Sequence, residues 1–384
     1  MGNRIILNGT SYFGRGAREN VITELRNRNF TKALVVTDKN LLDAHVTNLV
    51  TDVLDKNDFS YQIYSDIKPN PTTLNVQEGV TFCRNSKADV IIAVGGGSAI
   101  DTAKAISIIM TNPEHFDVIS LDGAVETKNA GMPIIALPTT AGTAAEVTIN
   151  YVITNPVGPK KMVCVDPHDI PIVAVIDQDL MEKMPKSLAA STGMDALTHA
   201  MEGYITKAAW LMTDMFHLNA MALIYKNLEK AVNLKDRDAI DNVGYGQYIA
   251  GMGFSNVGLG IVHSMAHSLG AFFDTPHGLA NALLLPHVLK FNGKICPALF
   301  RNMGRAMGLD MDNLTDDEAV DKVVDAVRSL AIKIGIPQTL KEIGIKKEDL
   351  PMLAHQAIDD VCTAGNPRNV TEQDILALYQ EAYE

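Results

Sequence analysis

Short apolar runs dominate the first half of this chain and amphipathic stretches the second. Residues 32–37 (KALVVT), 90–94 (VIIAV), 132–137 (MPIIAL) and 172–176 (IVAVI) are apolar, β-branched and too short for helices, which predicts buried central strands. Helical segments separate them, and that alternation predicts a mostly parallel sheet covered by helices. Residues 148–153 and 161–165 flank the turn-rich NPVGP and predict a hairpin appended to the sheet, placed to cover a cleft. Beyond Pro185 the strand pattern stops, and residues 187–205, 213–231 and 317–334 carry helical periodicity instead. The expected organisation is an α/β domain over residues 1–184 and an all-α domain over residues 185–384. No internal repeat or low-complexity tract is present, so solenoid and disordered architectures drop out.

Composition narrows the partners. A chain of 384 residues is long enough to fill two cores. Its formal net charge of -12, with no Lys/Arg run, argues against a nucleic-acid backbone or an anionic membrane as partner. Cys83, Cys164, Cys296 and Cys362 are scattered without a CxxC, the usage expected of a reduced cytoplasmic chain without disulfides. The opening MGNRIILNGTSYFGRGA lacks the apolar core of a signal peptide, and no apolar run is long enough to span a bilayer. Myristoylation is not expected, because Ile6 occupies the motif's Ser/Thr position.

Chemistry enters with the glycines. VIIAVGGGSAIDTAKAIS places Gly95, Gly96, Gly97 and Ser98 between a predicted strand and a predicted helix, where oxygens of a diphosphate can approach the backbone and the helix N-terminus. Ser98 and Asp101 also form a capping pattern, so a capped helix after a tight turn is the plainer account. Ile100 replaces the third glycine of GxGxxG, and no Lys-Ser/Thr pair follows to make a nucleotide-hydrolysing loop. Asp38 ends KALVVTD, where a carboxylate can accept from ribose hydroxyls and repel a 2′-phosphate, favouring NAD over NADP. Because Asp38 precedes the glycines, the sheet is Rossmann-like rather than Rossmann. PTTAGTAAEVT adds Thr139, Thr140, Gly142 and Thr143 after another strand; a surface loop would read the same way.

Asp195/His199 and His263/His267 are two i,i+4 pairs on predicted helices, and His277 opens another helix after Pro276. Three imidazoles and a carboxylate without thiolate suit a borderline divalent ion such as Fe(II) or Zn(II). HExxH is absent, so a zincin protease has no support. His45, His115, His168, His217, His287 and His355 are read as structural. A metal beside bound NAD points to oxidation of an alcohol: a Lewis acid lowers the pKa of the alcohol oxygen and stabilises the alkoxide from which hydride leaves. His267 is the candidate proton relay if it is not itself a ligand.

GGGSAIDTAK, PTTAGTAAEVT, GMDALTHAMEGY and HSMAHSLGAFFDTPHGLANALLLPHV together resemble the iron-containing, group III alcohol dehydrogenases, and the resemblance runs almost the whole chain. It implies a dehydroquinate synthase-like fold with an N-terminal Rossmann-like α/β domain and an all-α C-terminal domain. It implies metal ligation by Asp195, His199, His263 and His277, leaving His267 as the catalytic residue near the substrate. The NAD contacts implied are Asp38, Asn70, Gly97, Ser98, Thr139, Thr140, Thr143 and Lys161, with Leu180 beside the adenine end. Asn150, Phe254 and Cys362 are the substrate-lining candidates, although Phe254 equally suits helix core and Cys362 an inert buried thiol. The activity implied is NAD- and Fe(II)-dependent interconversion of lactaldehyde and 1,2-propanediol by a homodimer. A zinc-dependent glycerol or short-chain alcohol dehydrogenase is the alternative within the class. A lyase resembling 3-dehydroquinate synthase needs basic residues for its phosphorylated, carboxylated substrate, and the metal-bearing segments are instead small and apolar. A non-enzymatic NAD-binding regulator would have no use for the ligand set.

Overall fold

Nine strands form among the described residues, β1 (Thr10–Phe13), β2 (Lys32–Val36), β3 (Ser60–Tyr64), β4 (Val90–Gly95), β5 (Gly123–Ala124), β6 (Ile134–Pro138), β7 (Asn150–Asn155), β8 (Lys160–Val165) and β9 (Val173–Ile176). The computed structural model describes residues 2–384, and the chain divides into two units, Met1–Met184 and Pro185–Glu384. In the first unit, six strands make one sheet in the order β1-β9-β6-β4-β2-β3, every neighbouring pair parallel. Alternate residues of the central strands enter opposite cores. Leu34, Val36, Ile91, Ala93, Ile134 and Ala136 pack on one face, and Ala33, Val35, Ile92, Val94, Ile135 and Leu137 on the other. This period of two, apolar on both sides, is why the strands read as unbroken hydrophobic runs.

The β7–β8 hairpin departs from expectation. It pairs antiparallel from Asn150↔Val165 to Asn155↔Lys160, but joins β5 in a separate three-stranded sheet rather than extending the main one. The helix Gly97–Thr111 supplies what holds it there. Fully buried Lys104 donates from Nζ to the Thr148 carbonyl at 2.6 Å and the Asn150 carbonyl at 2.9 Å. Val152 N–H donates to Asp101 at 3.1 Å. Side chains of one helix thus satisfy strand groups that a main-sheet ladder would otherwise have to meet.

The second unit contains no strand among its described residues. Its leading helices are Lys186–Ile205, Leu211–Leu234, Arg237–Val257, Ile261–Phe273 and His277–Gly293. Small residues let them approach closely: a Cβ at Gly193 would strike Leu228, and one at Gly203 or Gly253 would strike the His217 ring. Among the described residues no helix is long and apolar enough to cross a membrane.

Candidate active site

In the first unit, strand order reverses between β2 and β4, the place where a parallel α/β sheet opens a crevice at its carboxyl edge. Asp38 follows β2 there, and Gly95 ends β4. The helix begins at Gly97 with Gly96 as its N-cap and no side-chain cap. Ser98 and Asp101 therefore do not form the capping pair their spacing suggested. Ser98 already lies inside the first turn, and Asp101 turns inward to Val152, where burial pushes its carboxyl up to about 7 against the pull of Lys104 and the Val152 N–H. First-turn N–H groups without a side-chain cap, at the positive end of the helix dipole, suit an anion.

The threonines lie over this turn. A Cβ at Gly96 would meet Thr140 at 3.2 Å and one at Gly97 would meet Thr143 at 2.8 Å, while Thr139 N–H donates to the Gly95 carbonyl at 3.0 Å. Asp38 is half-buried and caps the short helix Lys39–Asp43, its Oδ1 accepting Leu41 N–H at 3.1 Å. Lys161 Nζ donates to Asn70 Oδ1 at 2.6 Å and to Thr154 Oγ1 at 2.9 Å, joining the loop that follows β3 to the hairpin. Asn70 has φ 54, a left-handed conformation that asparagine tolerates. Leu180 lies in a core cluster with Val173 and Val175, 1% exposed. Asn150 opens β7 and gives its carbonyl to Lys104.

In the second unit, four side chains from three helices meet. Asp195 and His199 stand one turn apart on Lys186–Ile205, His263 on Ile261–Phe273, and His277 is the first residue of its helix. One ligand atom from each lies within 4.8 Å of all the others, and only His277 is more than slightly exposed. Asp195 Oδ1 is 3.9 Å from His263 Nε2 and 3.6 Å from His277 Nε2. These three atoms converge on one donor, Asn281 Nδ2, at 2.6, 3.2 and 3.1 Å respectively. Lone pairs aimed at one point from a carboxylate and imidazoles fit a borderline divalent cation. Gly278 makes the approach possible, since a Cβ there would lie 2.5 Å from the Ser191 carbonyl oxygen and 3.3 Å from Asp195 Cβ.

Three residues missed at the sequence level complete the arrangement. Glu202, fully buried, accepts His263 Nδ1–H at 2.6 Å on Oε2 and Val262 N–H at 2.8 Å on Oε1. Burial pushes its carboxyl up to about 8, moderated by the N–H groups of Val262, Gly260 and His263. Burial also holds His263 well below the ordinary histidine range, as do His199, His277 and His267 around it. A neutral His263 donating from Nδ1 presents a bare Nε2 to the cluster. Glu202 stands seven residues after Asp195, and Asn281 four after His277, so helical spacing pointed to both. Asp360, which accepts from His267 at 2.8 Å, has no such local signal. Burial would raise its carboxyl, but His267 and the Cys362 N–H hold it below its usual range.

Phe254 stacks on His199 with centroids 4.2 Å apart, so it is both helix core and a wall of the cluster. Cys362 sits beside Asp360 and His267, and burial pushes its thiol well above the usual value, with Asp360 and Glu202 adding to the rise. The six histidines read as structural lie outside both clusters. Among them His217 is fully buried with neither ring nitrogen hydrogen-bonded among the described residues.

Residues 189–383 match the Fe-containing alcohol dehydrogenase family, C-terminal, and residues 8–178 match the iron-containing alcohol dehydrogenases. The chain belongs to the iron-containing alcohol dehydrogenase family. It is 52% identical over 383 residues to lactaldehyde reductase of Escherichia coli (strain K12), covering 100% of both chains. Its fold superposes on 1,3-propanediol oxidoreductase with a TM-score of 0.96 at 38% identity, covering 100% of both. It superposes on sulfoacetaldehyde reductase from Bifidobacterium kashiwanohense in complex with NAD+ with a TM-score of 0.88 at 27% identity, covering 100% of this chain and 99% of that one. The chain is therefore an iron-dependent alcohol dehydrogenase, and the lyase and regulator readings fall away.

Proposed function

We propose that the chain interconverts lactaldehyde and 1,2-propanediol, with NAD as hydride carrier and Fe(II) as resident metal. The convergence of Asp195, His199, His263 and His277 carries the chemistry, and full-length identity of 52% to the E. coli reductase supports the substrate. These four residues hold the ion, which when bound supplies Lewis acidity to an alcohol or carbonyl oxygen. Gly97 and Ser98 at the helix start, with Thr139, Thr140 and Thr143, seat the dinucleotide diphosphate. Asp38 accepts from ribose hydroxyls and disfavours a 2′-phosphate, Asn70 and Lys161 add polar contacts, and Leu180 backs the adenine end. In the second unit Phe254 and Cys362 line the substrate, and His267 takes up or returns the hydroxyl proton.

Protein loaded anaerobically with Fe(II) should reduce lactaldehyde with NADH; absence of turnover with any short aldehyde would refute the reading. Zn(II) suits the same donors and binds such sites more tightly, so parallel loading identifies the metal that supports turnover. The family resemblance supports a homodimer, testable by sedimentation, and the absence of a long apolar helix among the described residues is compatible with a cytoplasmic site of action.

A further inference from the structure

Asp360 is a carboxylate with no assigned role, placed where a catalytic imidazole needs one. Its Oδ2 accepts Nδ1–H of His267 at 2.8 Å and its Oδ1 accepts the Cys362 N–H at 2.9 Å. The turn Val361–Gly365 that follows is fastened to the His267 helix, Thr363 Oγ1 donating to Ser264 Oγ at 2.8 Å. His267 also stacks on His277, centroids 5.4 Å apart and planes 18° from parallel, and meets His263 edge-on. Ring orientation is thus set by packing, and the tautomer by Asp360.

We infer that Asp360 is the positioning residue for His267, holding it as the Nδ1–H tautomer so that Nε2 is the bare nitrogen that receives the substrate's hydroxyl proton. This rests on the role proposed above for His267. In the oxidising direction the carbinol C–H bond breaks and its hydrogen leaves with both electrons to reduce NAD+. The carbon–oxygen bond becomes double, and the hydroxyl proton forms a new N–H bond at Nε2 while the Nδ1 proton stays on the ring, hydrogen-bonded to the Asp360 carboxylate, which faces the resulting imidazolium. Reduction of the aldehyde runs the same transfers in reverse.

A carboxylate that merely capped the turn would explain the bond to Cys362 but not the one to His267. Asp360→Asn separates the two, because its amide oxygen can still accept from Cys362 while its NH2 faces His267 and drives the ring proton to Nε2. Expected is a fall in kcat of about 10- to 100-fold, with KM for lactaldehyde and metal affinity within about twofold of wild type. In a His267→Ala background the same substitution should change kcat by less than about twofold. Nitrogen-15 spectra of the Zn(II)-loaded protein should show His267 Nε2 passing from bare to protonated. Additive losses in the two backgrounds, or an unchanged tautomer, would overturn the inference. If Asp360→Asn does not fold, Asp360→Ser, which keeps a short acceptor for the turn, carries the same cycle. A wild-type protein inactive on lactaldehyde would sink the earlier reading instead, and the spectra would still decide whether Asp360 sets the His267 ring.

Discussion

Replacing Glu202 by Gln should weaken metal binding at the centre while barely changing the shape of the site. Both carboxylate oxygens of Glu202 accept hydrogen bonds, Oε2 from His263 Nδ1 at 2.6 Å and Oε1 from Val262 N–H at 2.8 Å. An amide has one oxygen, so whichever way it turns, one donor faces an NH2. The Val262 donor is backbone and cannot change. His263 can, by moving its proton from Nδ1 to Nε2, but Nε2 is the atom that faces Asp195 and Asn281. A protonated Nε2 cannot ligate, so metal binding must force the proton back and restore the donor clash. With a divalent cation on Nε2, the Glu202 carboxyl gives up its proton and accepts from Nδ1 as a charged group, and a hydrogen bond to a charged acceptor is worth about 1.5–3 kcal/mol. At about 1.4 kcal/mol per factor of ten, that weakens metal binding about 10- to 100-fold, the usual cost of losing a carboxylate behind a ligating histidine. Chelator competition with Zn(II), and with Fe(II) under anaerobic conditions, measures it directly, alongside the melting temperature of the metal-free protein. A dissociation constant within about twofold of wild type would show that Glu202 only satisfies first-turn N–H groups of the His263 helix.

Asp38→Ala should bring the kcat/KM values for NADH and NADPH closer by about tenfold or more, and should cost about 1 kcal/mol of stability through the lost Leu41 cap; an unchanged cofactor ratio would count against its ribose role. Gly278→Ala places a methyl 2.5 Å from the Ser191 carbonyl oxygen, so the His277 helix must shift, destabilising by about 1–3 kcal/mol and loosening metal binding, read by melting and metal titration. Burial of His217, with His199 adding, holds its imidazole down to about 3. The unfolded chain then binds a proton near pH 6.5 that the folded chain refuses, so stability is whole above that pH and is lost as pH falls toward 3. The loss is about 1.4 kcal/mol per pH unit, and urea midpoints at pH 7 and pH 5 should converge in His217→Leu relative to wild type.

The parts of this fold that could be read directly share one physical property. Strands β2, β4, β6 and β9 are buried on both faces, so each leaves an apolar run in the sequence. The edge strands β1 and β3 leave none, because their residues are half-exposed or alternate with exposed ones, TSYF and SYQIY being no more apolar than a loop. The hairpin was legible as a pair, but its allegiance to a second sheet was not, since that depends on Lys104 and Asp101, polar residues that look solvent-facing until the helix turns them inward. The same boundary runs through the site. Helical spacing says that Asp195 shares a face with His199, and His263 with His267, and here it ceases to discriminate: both rings of the second pair are buried, and both donate Nδ1 to a carboxylate. What separates them is where the remaining nitrogen stands, His263 Nε2 beside Asp195 and Asn281 and His267 outside that group of four. Asp195 is 68 residues from His263 and Asp360 is 93 from His267. A histidine becomes a ligand or a base according to contacts of that range, which no local pattern contains.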